Sequence, residues 1–504
     1  MNVAKVSVAD KSMGEILERA ESLKQFVLQS AAEGKSLHEV ERGVFDQLLS
    51  MGRCAIDAVL HLQGTGDVGA TYVTPEGREL RRSAQPHPRR LRTIFGQHKF
   101  EQFVYSAGAN RKLELQPIDA RLGLTPRVGS QLFEEFSQLF CVESAFRQST
   151  WNFETVFRQK VSVDTLEAIA RHMGAEAEQY ADALPRPASS EEGDLFVATL
   201  DGKGVPLIQE TPSSVKAFET RRLRPGNRRM ATLAGAYSVD RFKRTPEQIV
   251  AALFREEHPS DRAPRPVPYG KHLTVHFPEC YGEGDDQVTS TGAIEACCWL
   301  SSQVDERRQA DQPLVVLIDG DHRLWNTAAD HLPADRIEIL DVVHVSSYIW
   351  EAAGLLCKSD KQREAFTRQR LLKILQGQAA SVVRGLRHMA TARKLRGEAR
   401  RSMTRITNYL EAHSARMQYD QYLAAGYPIA TGVIEGACRH LVKDRMERSG
   451  MRWTLAGAKA VLNLRAVIAS DHWDEFLEQR RAKEAQKFHP HHKAIANYQP
   501  ALAI

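Results

Sequence analysis

Asp201, Asp319 and Glu435 are the residues of this chain whose types and placement best suit chemistry. Asp201 ends the apolar run within LFVATLDGKG (195–204), Asp319 ends that within PLVVLIDGD (313–321), so each is expected at the C-terminal end of a strand, and each precedes a glycine. Open α/β sheets place ligands at the carboxyl ends of strands, and a carboxylate there is costly unless something positive meets it. Asp-Gly is also an ordinary turn signal, so the pair is more informative than either member. Glu435, in GVIEGACRH, stands near the start of an amphipathic helix, where an acid can also simply answer the helix dipole. Two strand-end aspartates and a helix-borne glutamate suit two hard cations such as Mg²⁺, which take oxygen ligands and commonly work beside phosphate. Paired ions of that kind serve in-line displacement at a phosphodiester.

The elements around these acids must bring them together. Residues 195–204, 228–239, 313–321 and 336–345 read as strands, with helical stretches at 287–306 and 323–332 between them. Strands alternating with helices argue an α/β sheet. From His344 to about Ala425 the strand signal vanishes. Lys361 to Arg405 holds 13 Lys and Arg against two acids, a density that calls for a polyanion or abundant water. A last amphipathic helix opens near Thr431.

Upstream, residues 11–60 read as helix and 65–120 as short strands separated by Gly and Pro. The basic, Pro-broken stretch Arg81 to Arg92 reads as a DNA-contacting arm or a solvated loop. Three short helices over 130–182, with Ser162 placed to cap the last, are compatible with a helix-turn-helix. The polar segment 183–194 reads as a linker.

Length and composition bound these readings. A chain of 504 residues suggests about three domains. Apolar residues at 42% and charged residues at 26% describe a globular, water-facing protein. No apolar run is long enough to span a bilayer, and the N-terminus lacks an apolar signal core, so a cytoplasmic protein is expected. The seven cysteines are scattered and form no CxxC pair, which speaks against a disulfide framework or a zinc ribbon.

These residues carry a resemblance. LDGKGV at Leu200–Val205, LIDGDHRLWNTA at Leu317–Ala328, ILDVVHVSSYIWEAA at Ile339–Ala353 and TGVIEGACRHLVKDRMERSGMRW at Thr431–Trp453 resemble the DDE transposases of bacterial insertion sequences. The likeness is to the ISKra-type group in particular, and more distantly to Mutator-like transposases. It covers most of 195–470. It implies an α+β, multi-domain protein with an RNase H-like catalytic core, an all-helical insertion and a mainly helical N-terminal DNA-binding region. Asp201, Asp319 and Glu435 become the catalytic and metal-holding triad, with two Mg²⁺ or Mn²⁺ ions. Asp321 competes for the second place, but Asp319 follows the apolar run directly and matches the family's Asp-Gly. Asp341 and His344 form a DxxH that borders the site without ligating metal.

The expected layout is an N-terminal region over 1–125, a helix-turn-helix-like region over 126–185, the core at 195–345 and 426–480, the basic insertion at 346–425 and a tail over 481–504. Arg439, Lys443 and Arg445 are candidate phosphate contacts, as are Arg228 and Arg229 beside Arg221, Arg222 and Arg224. Related N-terminal regions often carry paired cysteines. Here Ser106, Ala107 and Ala109 stand in that segment, so no zinc is expected. The implied partners are double-stranded DNA, as terminal inverted repeats and target, and further copies of the chain in a synaptic complex at the nucleoid. The rival readings are an RNase H-like nuclease that cuts without joining, and a catalytically dead DNA-binding derivative.

Overall fold

The computed structural model describes residues 8–108, 111–184, 187–208, 228–256, 264–281, 288–448, 450–491 and 495. The chain is a mixed α+β protein of two compact units, one made of residues 1–170 and 474–504, the other of 171–473. The units part inside the helix Val163–Asp182, upstream of the polar segment 183–194.

The first unit opens with two long helices, Val8–Glu33 and Leu37–Leu62, separated by a short turn. Ser36 caps the second in a reciprocal capping box with Glu39. Small sheets and four helices follow, the last capped by Ser162 through the Thr165 amide. The stretch expected as an arm or loop, Arg81 to Arg92, is instead largely strand, Glu79–Arg82 and His87–Thr93. Arg89 does not face solvent there. It bonds buried Asp119 at 3.0 Å and the carbonyls of Thr125 and Arg127. Within the same unit, Arg480 pairs with Glu134 at 2.6 Å and with Glu484 at 3.0 Å, all three buried, so the C-terminal helix is held by ion pairs out of water.

The second unit is built on a five-stranded sheet. Its strands are β1 (Leu195–Pro206), β2 (Arg228–Val239), β3 (Tyr269–His276), β4 (Leu314–Ile318) and β5 (Ile337–Leu340). They lie in the order β5-β4-β1-β2-β3; β4 is parallel to β1 and β5, and β2 is antiparallel to β1 and β3. The apolar runs are continuous because both faces are covered. Phe196, Ala198, Leu314 and Val316 pack under α1 (Gly292–Arg307) and α2 (His322–His331). Leu195, Val197, Val315 and Leu317 pack under α3 (Val342–Leu356) and the helices that follow, α4 (Asp360–Leu375), α5 (Ala379–Ala392) and α6 (Gly397–Ala412). The basic stretch is therefore helical, as its composition suggests, and its apolar side shares the core of the sheet.

Two strand readings change. Residues 336–345 are not one strand: β5 ends at Leu340, and Asp341 caps α3 by accepting from the His344 amide. The edge strand β3 shows no clear alternation in sequence and was not expected.

Candidate catalytic site

Register places the acids. Leu200 on β1 pairs with Ile318 on β4, and Ile318 pairs with Leu340 on β5. The next residue on each strand is an aspartate. Asp201, Asp319 and Asp341 thus stand in a row across three adjacent parallel strands, Asp319 and Asp341 just past the carboxyl ends of β4 and β5; β1, expected to end at Asp201, instead runs on beside β2 to Pro206, so Asp201 lies within the strand where its parallel neighbour β4 stops. The fourth acid arrives from the other side. Glu435 sits on a short helix, α7 (Gly432–Ala437), whose Ile434 packs close to Gly235 on β2. A side chain at Gly235 would meet Thr199 at 3.0 Å and Leu273 at 3.1 Å, both on the flanking strands, so the glycine relieves crowding within the sheet beneath that helix.

His344 ties these carboxylates together. Its Nδ1 lies 2.8 Å from Asp341 Oδ2 and 3.7 Å from Glu435 Oε1, and its Nε2 lies 3.9 Å from Asp319 Oδ2. Asp341 is fully buried and acts as a strut: Oδ2 accepts from the His344 amide at 3.0 Å and Oδ1 from the Thr431 amide at 3.1 Å. One carboxylate therefore fixes the first turn of α3 and the start of the helix that carries Glu435. The hydrogen bond to Asp341, with the surrounding carboxylates, raises His344 to about 9.

The site is short of positive charge. Burial raises the Asp201 carboxyl, and the Asp319 charge adds to it, against bonds from Cys438 and the Gly202 amide. Glu435 is raised by burial and then by the Asp341 charge, with further repulsion from Asp201 and Asp319. Asp201, Asp319 and Glu435 therefore feel one another's charge. Carboxylates held in that repulsion, offering only hard oxygen atoms, fit divalent cations. Asp341, His344 and Glu435 also offer ligand atoms within 4.8 Å of one another, a group able to hold a metal ion. The DxxH pair, expected to border the site without ligating metal, supplies two of the three ligand atoms of that group, which includes neither Asp201 nor Asp319.

The remaining candidates separate by geometry. Asp321 caps α2 through the Arg323 amide at 2.8 Å, whereas Asp319 faces His344. Arg439 and Lys443 are exposed. Arg445 is not a phosphate contact: it is fully buried, its guanidinium 4.6 Å from the Trp453 ring, because the helix turn that exposes its neighbours points it inward. Arg228 and Arg229 are exposed at the start of β2, and Arg228 pairs with Glu447. Arg221, Arg222 and Arg224 lie outside the described residues. On the insertion, Lys361, Lys373, Arg384, Lys394, Arg396 and Arg401 are exposed without a carboxylate partner among the described residues.

Two residues escaped sequence reasoning. Cys438, three positions after Glu435 and so on the same helical face, hydrogen-bonds to the Asp201 carboxylate; burial and that charge push its thiol up. Tyr409, from α6, lies where a side chain at Gly320 would stand: a Cβ there would come within 2.0 Å of its ring. The glycine after Asp319 is thus needed for packing as well as for the turn.

Compared with protein-family models and with curated proteins, the chain matches none.

Proposed function

We propose that this chain is a DDE transposase: a metal-dependent enzyme that cuts DNA strands at the ends of a mobile element and joins them to target DNA. The observation that carries the reading is the row Asp201, Asp319 and Asp341 on three adjacent parallel strands, with Glu435 brought near Asp341 and His344 from a helix. The strand order β5-β4-β1-β2-β3, with only β2 running against its neighbours, is that of an RNase H-like core and supports the same reading.

Asp201, Asp319 and Glu435 would hold two Mg²⁺ or Mn²⁺ ions. Bound there, the ions supply positive charge against the phosphodiester oxygens. Asp341 holds His344 and the Glu435 helix in place. Arg439, Lys443 and the unpaired cations of the insertion bind the DNA backbone, a sequence-independent and salt-sensitive contribution. Water attacks the phosphodiester at the element end, its oxygen bonding to phosphorus as the P–O3′ bond breaks to leave a 3′-OH and a 5′-phosphate; that 3′-OH then attacks a target phosphodiester, joining to its phosphorus as the target's own 3′-oxygen leaves.

The test is a Mg²⁺-dependent reaction of the purified chain on DNA flanking its own gene, followed by strand transfer with pre-cleaved ends. Cleavage and joining, both lost in Asp201→Asn, are expected. Cleavage without joining would make the protein a nuclease. Transposition that persists in Asp201→Asn would mean the acids serve another purpose.

A further inference from the structure

Lys203 is a cation that the catalytic reading leaves unused. It stands on β1 two residues after Asp201. Side chains alternate along a strand, so the two lie on one face of the sheet, roughly 6.8 Å apart along β1. That face is the one the Glu435 segment covers: Cys438 bonds Asp201, and the helical turn Cys438–Lys443 packs on β1. Gly202 and Gly204 point the other way, where side chains of β2 fill their places. A Cβ at Gly202 would come within 2.8 Å of Met230, and one at Gly204 within 3.3 Å of Arg228. Past the acids, β1 thus offers one charged side chain on the face of the site, and it is positive.

The Lys203 ammonium is half-buried, yet no carboxylate pairs with it among the described residues. Its charge acts on the Cys438 thiol on one side and on the Glu447 carboxylate on the other. Glu447 is already held by Arg228, whose guanidinium also donates to the Gly204 carbonyl at 3.1 Å. Lys443 acts on the same carboxylate. Three cations therefore surround one acid, and Lys203 and Lys443 keep their charge for something else. A half-buried cation without a counter-ion suits an anion that arrives from outside.

We propose that Lys203, seconded by Lys443, holds the DNA phosphate next to the one at which the acids act. The inference rests on the catalytic reading and adds to it a positioning residue for the substrate strand. The separation of Asp201 and Lys203 along β1 leaves room for one nucleotide unit between the two groups. An ammonium there meets phosphate as a point charge, without reading the base.

Equilibrium binding of a fluorescein-labelled duplex, cut from the DNA flanking the chain's own gene, tests the proposal in Ca²⁺ over a series of salt concentrations. Lys203→Ala is expected to weaken binding roughly 10-fold and to lower the slope of log affinity against log salt by about 1, as loss of one phosphate contact does. Lys203→Arg should restore the slope. Calorimetric titration with Mn²⁺ separates this contact from a structural role. Removing a cation near the acids should leave Mn²⁺ bound as tightly as in the wild type, or more tightly. An unchanged salt slope in Lys203→Ala overturns the proposal. So does loss of Mn²⁺ binding in that variant alone, which would make Lys203 a prop of the acid site. A wild type that binds no Mn²⁺, with the slope still lowered in Lys203→Ala, would end the catalytic reading and leave the phosphate contact standing.

Discussion

At the scale of single residues, the site is an arrangement of acids with different tasks. Asp341 is buried and fully engaged, whereas Asp319 and Glu435 reach His344 only at 3.9 and 3.7 Å, and Asp201 accepts from the Gly202 amide and Cys438. Replacing Asp341 should therefore act on structure before chemistry. Asp341→Ala leaves the His344 and Thr431 amides without their acceptor, and a cost of about 1–3 kcal/mol is expected. Chemical denaturation checks it; a variant as stable as the wild type would remove Asp341 from the role of strut. Of these residues, Asp201, Asp319 and Glu435 stand out in the sequence because each borders a glycine beside an apolar run. The role of Asp341 was hidden because a strand end and a helix cap use the same short polar residue, and only register tells them apart. Cys438 carried no signal of its own beyond its spacing from Glu435.

At the scale of elements, the contact between α6 and the turn after β4 joins the basic helices to the five-stranded sheet. Tyr409 occupies the space beside Gly320, stacks on Tyr348 with ring centroids 3.9 Å apart, and its hydroxyl has no partner among the described residues. Gly320→Ala should overpack this contact and cost about 1–3 kcal/mol. Tyr409→Phe, which keeps the ring and deletes an unpartnered hydroxyl, should be close to neutral. Thermal melts of the two single variants check the pair. Equal destabilisation would show that the hydroxyl rather than the ring makes the contact. The strands β1, β2 and β4 were legible because strands covered on both faces read as unbroken apolar runs. The edge strand β3 was not, since YGKHLTVH mixes polar and apolar residues without a clean period. The basic run Arg81 to Arg92 misled for the opposite reason: its charge suggested solvent, yet Arg89 spends its guanidinium on buried Asp119 and backbone carbonyls.

At the scale of the whole molecule, three histidines whose surroundings disfavour their charged form oppose acidification. Burial, then the nearby Arg307 charge, pushes His272 down to about 3, and burial pushes His276 and His413 down to about 4. Their folded values lie below the ordinary value, so between pH 6.5 and about 4 the unfolded chain binds protons that the folded chain refuses. The stability they preserve is complete above pH 6.5 and falls on acidification, by at most roughly 1.4 kcal/mol per pH unit for each imidazole. Melting temperatures from pH 7.5 to 4.5 check the direction, and His272→Gln should flatten the fall; a flat profile in the wild type would contradict it.

The central claim is that acids from two strands and a helix share divalent cations. Calorimetric titration of the metal-free protein with Mn²⁺ tests it without DNA or turnover. Binding at two sites is predicted for the wild type. Asp201→Asn and Glu435→Gln should each weaken it by at least the 10–100-fold, approximately, that loss of a supporting residue causes at metal sites. Variants that bind Mn²⁺ as tightly, and in the same number, as the wild type would contradict the account.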